Sequence, residues 1–133
     1  MPLVSMKEMM ARALAEGYGL GYFEAWASYS MEAVLEAAEE ERSPVILGFG
    51  GMMARREWLD EGGVELLGAV GTAMARRSRV PVCLLLNEAQ TLEQTIKGMD
   101  VGFNAVMLDT SAWPWQEVQL SKCVSRWANS CET

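Results

Sequence analysis

The stretch Val80-Pro-Val-Cys-Leu-Leu-Leu86 decides the fold, because it is a continuous apolar run. Runs of this kind are typical of strands that are buried on both faces of a parallel sheet. Similar runs lie before it at Val45–Phe49 and after it at Phe103–Leu108, and a shorter one lies at Gly19–Phe23. The sequence therefore predicts four parallel strands.

Amphipathic segments separate these predicted strands. Residues Ser30–Glu41 and Val64–Arg77 carry apolar side chains at helical spacing, with Ser30 as the expected N-cap of the first. The capping boxes Ser5–Glu8 and Thr91–Gln94 predict two further helix starts. Pro114 suits the first turn of a final helix. The chain thus alternates strands and helices after an opening helix.

Two architectures fit four strand–helix units of this kind. One is the first half of a closed (β/α)8, TIM-barrel-like fold, with parallel strands and right-handed crossovers. The other is a small, open, doubly wound α/β sheet. The sequence shows no linker, low-complexity segment or second domain, so we expect a single domain over residues 1–133.

Charge and composition exclude several classes of partner. Among 133 residues, 18 Asp and Glu outnumber 11 Lys and Arg, which gives a net charge of −7. We expect no nucleic-acid partner, because phosphate backbones bind clustered cations. No apolar stretch reaches the ~18 residues of a membrane helix, so no membrane partner is expected. Three cysteines without a CxxC pair argue against disulfides or structural zinc, and a cytoplasmic setting is the default expectation.

The chain contains no histidine, so the commonest general base and metal ligand is missing. Three carboxylates, those of Glu24, Glu88 and Asp109, follow the carboxyl ends of predicted strands, where α/β folds place their active sites. If they converge, they would suit a divalent cation, and their mutual repulsion would raise one pKa enough for a general base. The alternative is that they are solvated loop residues or helix N-caps.

Two segments near the strand ends allow more than one interpretation. Trp113-Pro-Trp115 fits a platform on which a sugar ring stacks, although such aromatic residues more often pack within the protein. The long segment from Met52 to Gly63 is either a lid over the site or an ordinary irregular connection. Its basic pair Arg55–Arg56 would attract a phosphorylated substrate or is a solvated helix end.

Several blocks of sequence resemble the class II, metal-dependent fructose-bisphosphate and tagatose-bisphosphate aldolases. The most specific is Ala37-Ala-Glu-Glu-Glu-Arg-Ser-Pro-Val-Ile-Leu-Gly48, and the opening Met1–Met9 is also similar. Val80–Val82, Gly102–Phe103 and Val106–Ser111 resemble later blocks of the family. The resemblance runs through almost the whole chain and implies the barrel architecture rather than the doubly wound sheet.

In that family a bound divalent metal, usually zinc, polarises the carbonyl of a phosphorylated ketose. The family reads His-Leu-Asp-His where this chain reads Leu85-Leu86-Asn87-Glu88. The resemblance therefore places Asn87 at the catalytic acid–base aspartate, although an amide cannot exchange a proton near neutral pH. It places Glu88 at a metal-ligating histidine, where a carboxylate would favour Mg²⁺ or Mn²⁺ over zinc.

The resemblance also assigns expectations to other strand ends. Asp109 matches an acidic residue near the family's metal sites and is the second metal candidate. Glu24 stands where the family commonly has asparagine, and is a candidate acid–base group or ligand. Gly50 replaces a substrate-contacting serine, so Gly50, the adjacent Gly51, and Trp113 are the substrate-binding candidates.

A half-barrel exposes two unpaired sheet edges and an apolar inner face. The residues expected on that face are Phe23, Ile46, Phe49, Leu84, Leu86 and Met107. Two copies would complete a barrel as a homo-oligomer, a separately encoded half-barrel would complement it, or the chain is a fragment of a longer protein. We expect an aldolase-like domain for a phosphorylated sugar that is inactive alone. The alternative is a catalytically silent binding or assembly module.

Overall fold

A computed structural model describes residues 3–116 and 118. The helices and strands are, in order, α1 (Met6–Glu16), β1 (Tyr22–Glu24), α2 (Ser28–Glu40), β2 (Val45–Gly50), α3 (Arg56–Trp58), α4 (Val64–Arg77), β3 (Val82–Ala89), α5 (Leu92–Asp100) and β4 (Ala105–Leu108). No helix in this part of the chain is both long and apolar enough to span a bilayer.

The four strands form one parallel sheet in the order β1-β2-β3-β4. This confirms the predicted parallel strands. A doubly wound sheet reverses its strand order at a switch point, whereas a barrel adds each strand beside the preceding one. The sequential order is therefore that of half a barrel.

The main core lies between the sheet and the helices α2, α4 and α5. Leu47, Phe49, Leu84 and Leu86 are fully or almost fully buried in it. Side chains alternate between the two faces of a strand, so Phe49, Leu84 and Leu86 belong to the helix-covered face. The expectation that these three line the inner face is wrong, because a continuous apolar run does not reveal which residues point to which side.

A second, smaller core lies on the opposite, inner face of the sheet. Ile46 and Cys83 are buried there against Met9 of α1. The part of the inner face around Ile46 and Cys83 is thus covered by the chain's own opening helix. Toward the carboxyl ends of the strands this face carries polar residues instead.

The Asn104 side chain ties the amino-terminal segment to the sheet. Its Oδ1 accepts a hydrogen bond from the Leu84 backbone N–H at 2.7 Å, and its Nδ2 donates to the Val4 carbonyl oxygen at 2.8 Å. The Val4 N–H donates in turn to the Val82 carbonyl at 2.8 Å. One amide side chain therefore joins the start of the chain to β3 and to the entry of β4.

Several expected boundaries are confirmed. Ser5 Oγ accepts from the Glu8 N–H at 3.2 Å at the start of α1, and the left-handed Gly17 ends that helix. Thr91 Oγ1 accepts from the Gln94 N–H at 3.1 Å at the start of α5. The Gln94 side chain, however, accepts from the Gln90 N–H and so does not complete a capping box with Thr91.

Two boundaries differ from expectation. β1 comprises Tyr22–Glu24, later than the predicted Gly19–Phe23. The N-cap of α2 is Ala27 rather than Ser30, which lies within the first turn. Ser30 Oγ accepts from the Ala27 N–H at 3.2 Å and donates to the Ala27 carbonyl at 2.8 Å. The serine therefore reaches back to the cap, which lets the helix begin earlier.

The connection from β2 to α4 is helical rather than irregular. A 3-10 turn spans Gly51–Met53, α3 follows, and a kinked turn over Leu59–Gly63 runs into α4. Leu59 is buried in the main core. At the other end of the chain, Val118 N–H donates to the Pro114 carbonyl at 3.2 Å, as expected for a helix start. The predicted core residues Leu120, Val124 and Trp127 lie outside the described residues.

Candidate functional site

A polar cluster occupies the carboxyl ends of β1, β2 and β3. Glu24 pairs with Gly48 in the β1–β2 ladder, and Gly50 pairs with Asn87 in the β2–β3 ladder. Strand alternation places Tyr22 and Glu24 on one side of β1, and the Tyr22 hydroxyl donates to Glu24 Oε2 at 3.3 Å. Two of the predicted catalytic residues, Glu24 and Asn87, are therefore part of one inner-face cluster.

The Glu24 carboxylate is held by two donors. Trp26 Nε1–H donates to Oε1 at 2.8 Å, and the Tyr22 hydroxyl donates to Oε2. A Cβ on Gly50 would lie 2.5 Å from Glu24 Oε2, so the carboxylate rests on the bare backbone of β2. Gly50 accordingly provides space for Glu24, and the two residues form a single structural unit.

Tyr22 is the residue of the cluster with a perturbed pKa. Burial raises the pKa of its hydroxyl well above the ordinary value, and the negative charges of Glu24 and Glu88 raise it further. The Asn87 side chain lies close enough to the hydroxyl to lower the pKa by a smaller amount. Tyr22 therefore stays protonated and acts as a hydrogen-bond donor, with Asn87 and Glu88 as its neighbours on β3.

The end of β3 contains a bulge. The β3–β4 register shifts between Leu86 and Ala89, and Glu88 adopts a left-handed conformation with φ 53°. Bulges redirect side chains and are frequent beside active sites. A Cβ on Gly51 would lie 2.6 Å from the Glu88 carbonyl oxygen, so Gly51 admits this bulge. The sequence carries no signal for it beyond a polar pair that ends an apolar run.

Asp109 and Trp113 lie beyond the end of β4. Asp109 Oδ1 accepts from the Ser111 N–H at 3.0 Å, and hydrogen bonds from the Ser111 backbone and hydroxyl lower the pKa of Asp109. The Trp113 N–H donates to the Thr110 carbonyl at 3.0 Å, and Trp113 is partly buried. Asp109 thus caps the turn that leads to Trp113.

The described residues do not fit a divalent metal by themselves. Within residues 3–116 and 118, no three His, Cys, Asp or Glu side chains are grouped closely enough to hold a metal ion. Glu24 has a tryptophan and a tyrosine as partners, while Asp109 binds its own turn. The expected convergence of Glu24, Glu88 and Asp109 into a cation site is not formed by these groups.

A part-buried amide network, which the sequence did not reveal, fixes the segment after β2. Gln90 Nε2 donates to the carbonyl oxygens of Gly51 and Ala54 at 2.9 and 3.0 Å. Gln94 is 2% exposed, and its Nε2 donates to Asp60 Oδ1 at 2.7 Å. Two glutamines thereby attach both ends of the connection to the β3–α5 turn.

Trp26 is a further site residue that sequence reasoning missed. Its indole N–H holds Glu24, while its ring packs edge-on against Phe49 at a centroid distance of 5.7 Å. The position of Trp26, two residues after a candidate carboxylate at a strand end, was the available signal. The ring thus anchors the carboxylate to the main core.

The sequence model of the class II fructose-bisphosphate aldolase family matches residues 4–133 of this chain. A probable fructose-bisphosphate aldolase of Bacillus subtilis is 38% identical over 125 residues, which are 88% of this chain and 40% of that protein. The sulfofructosephosphate aldolase of Alkalicoccus urumqiensis is 32% identical over 117 residues, or 88% of this chain and 39% of that protein.

A solved structure has the same architecture. The crystal structure of the YdjI aldolase from Escherichia coli K12 superposes with a TM-score of 0.72 at 26% identity, over 86% of this chain and 42% of that one. The chain thus spans about two-fifths of the relatives it matches. Strand order, sequence blocks and the family match agree, and the chain belongs to the class II fructose-bisphosphate aldolase family.

Proposed function

We propose that this chain supplies the β1–β4 half of an aldolase-type barrel that acts on a phosphorylated sugar once a second half-barrel completes it. The observation that carries the proposal is the inner-face cluster of Tyr22, Glu24 and Asn87 at the carboxyl ends of neighbouring strands. Barrels place their active sites at that end. A cytoplasmic setting is part of the proposal, because the three cysteines of the sequence include no CxxC pair and do not suggest a disulfide framework.

Both edges of the sheet support the need for a second half. Phe23 on the edge strand β1 is 50% exposed, and Met107 on the edge strand β4 is 44% exposed. A groove of about 460 Å³ beside β1 is lined by Phe23, Val34 and Ala37, among others. A second copy of the chain or a complementing half-barrel would pair with both edge strands and cover these side chains.

The chemistry of the cluster differs from that expected of a complete aldolase. The Asn87 amide can orient a substrate hydroxyl, but it cannot take up the proton that aldol cleavage releases. Glu24 is then the candidate acid–base group, and Gly50, Gly51 and Trp113 are the candidate substrate contacts. Glu88 and Asp109 would hold Mg²⁺ or Mn²⁺ only with further ligands from the second half.

The test is a coupled aldolase assay on the 133-residue chain with added Zn²⁺ or Mn²⁺. We expect no cleavage of fructose 1,6-bisphosphate, because proton transfer and metal ligation are both incomplete. Turnover well above that of a Glu88→Ala control would overturn this expectation. Light scattering on the same sample gives the mass of the assembly, and a stable monomer would contradict barrel completion by a second copy.

A second candidate is a catalytically silent binding or assembly module. The specific observation in its favour is Asn87, which stands where the family resemblance requires an ionisable acid. The two candidate functions can be distinguished by an assay on the completed assembly. A silent module binds a sugar phosphate without turning it over, whereas an aldolase releases a triose phosphate.

A further inference from the structure

We propose that Glu24 is a specificity-determining residue, whose carboxylate fills the side-chain space of position 50 and selects an uncharged, hydroxyl-bearing part of the substrate over a phosphate. Trp26 and Tyr22 are its positioning residues. The proposal rests on the proposed function, because it assigns a ligand class to one part of that site.

The first support is the close approach of Glu24 to β2. A Cβ on Gly50 would lie 2.5 Å from Oε2 and 2.8 Å from both Cδ and Oε1, and atoms do not approach this closely without a shift. The entire carboxylate therefore lies against the backbone of Gly50. No side chain can occupy position 50 while the Glu24 carboxylate lies where it does. A ligand that approaches this end of β2 from the inner face therefore meets the carboxylate.

The second support is the way in which the carboxylate is held. Each oxygen accepts one hydrogen bond, from Trp26 Nε1 at 2.8 Å and from the Tyr22 hydroxyl at 3.3 Å. A carboxylate offers about four acceptor positions, so about two stay open for ligand donors. Because Trp26 also packs on Phe49, the acceptor is fixed before a ligand arrives. Fixed acceptors suit substrate hydroxyls.

The third support is the charge at this position. Among residues 3–116 and 118, none of the ion pairs includes Glu24, and the nearby Glu88 adds to the negative potential at Tyr22. Both donors to Glu24 are neutral, so its negative charge is not cancelled by its partners. Negative charges repel a phosphate and leave a neutral polyol unaffected. The geometry and the charge thus point to the same ligand class.

The experiment follows the Trp26 indole N–H resonance in the ¹⁵N-labelled 133-residue chain during titration with glycerol or glycerol 3-phosphate. In the wild type we expect a saturable shift with glycerol and none with glycerol 3-phosphate. Glu24→Gln keeps the side-chain size and removes the charge, so it should respond to both probes. Glu36→Gln removes one charge from α2 instead and should behave as the wild type.

Three outcomes overturn the proposal: equal wild-type responses to both probes, no response to glycerol, or a Glu24→Gln variant that still rejects glycerol 3-phosphate. The complete amide spectrum of each variant shows that it is folded. The titration requires neither catalytic turnover nor a second half-barrel. Its failure is therefore distinct from failure of the proposed function, which is tested by light scattering and by the aldolase assay.

Discussion

The Glu24 carboxylate lies directly on the backbone of Gly50, where a Cβ would be 2.5 Å from Oε2. Gly50 has φ −89°, which alanine adopts readily, so the nearest obstacle to a larger residue is the Glu24 side chain and not the backbone conformation. We therefore expect Gly50→Ala to lower the free energy of unfolding by about 1–3 kcal/mol through overpacking. In a Glu24→Ala background the same change should be neutral or stabilising by about 0.4–1 kcal/mol.

Urea unfolding of the four members of this double-mutant cycle measures the coupling between the two positions. Gly19→Ala is the matched control, because a Cβ there would meet open space, and its effect should be the same in both backgrounds. A Gly50→Ala penalty that persists without the glutamate would show that Gly50 is needed for another reason.

The bulge at Glu88 predicts that two substitutions at this position change stability in opposite directions. Glu88 has φ 53°, a conformation that costs an L-residue about 1–2 kcal/mol and a glycine almost nothing. After the entropy cost of glycine, Glu88→Gly should stabilise the chain by up to about 1 kcal/mol, whereas Glu88→Val should destabilise it by about 1–2 kcal/mol. The midpoints of thermal unfolding of the two variants check both effects.

The control is Glu93→Gly, on the exposed side of α5, which should cost about 1 kcal/mol of stability. Equal stability of the glycine and valine variants at position 88 would refute the strain.

Gln94 is expected to be the most sensitive polar residue of the β3–α5 turn. It is 2% exposed and bridges the Gln90 N–H and Asp60 Oδ1. Gln94→Ala removes the hydrogen bonds to the part-buried Gln90 N–H and to the exposed Asp60 carboxylate, and it empties buried space. It should therefore cost about 1–3 kcal/mol in urea unfolding. Hydrogen exchange at the Gln90 amide should accelerate in parallel. The neighbouring Glu93→Ala should change stability by less than about 0.5 kcal/mol, and a similar loss there would refute a specific role for Gln94.

The buried thiol of Cys83 makes stability depend on pH at the alkaline end. Burial raises the pKa of Cys83 from its ordinary 9.0 to about 11. Between these values the unfolded chain loses the proton and the folded chain keeps it, so stability falls as the pH rises from 9.0 toward 11. A Cys83→Ala variant should lack this decrease. Guanidinium unfolding at several pH values compares the two chains, and parallel curves would contradict the prediction.

The sequence predicted the strands better than it predicted their faces. The apolar runs located β2 and β3, since few other structures accommodate such segments. The same uniformity concealed which side Leu84 and Leu86 face, because an unbroken run has no alternation to read. The start of α2 was missed for a different reason. Ser30 is a good cap by type, but its hydroxyl serves Ala27 from within the first turn.

The candidate site was predictable only in part. Glu24 was identified because carboxyl ends of parallel strands collect at one edge of the sheet, a property of topology that sequence order reveals. Asn87 was identified only through the resemblance of Leu85–Glu88 to a catalytic block of the aldolase family. The support for Glu24 from Trp26 depends on a side-chain rotamer and on packing against Phe49. The left-handed conformation of Glu88 is imposed by the β3–β4 register, and glutamate is not a residue type that signals it.

The hydrogen bond from Asn104 to the Val4 carbonyl spans 100 residues of sequence. During synthesis the amino terminus leaves the ribosome first, and segments made early commonly fold early. Here α1 meets its inner-face partners only after β3 has been made, and the preceding segment gains its last hydrogen bond only when Asn104 emerges. The first helix of the chain therefore docks only after two later strands have been made, and nascent chains halted before Cys83 should display Met9 to chaperones.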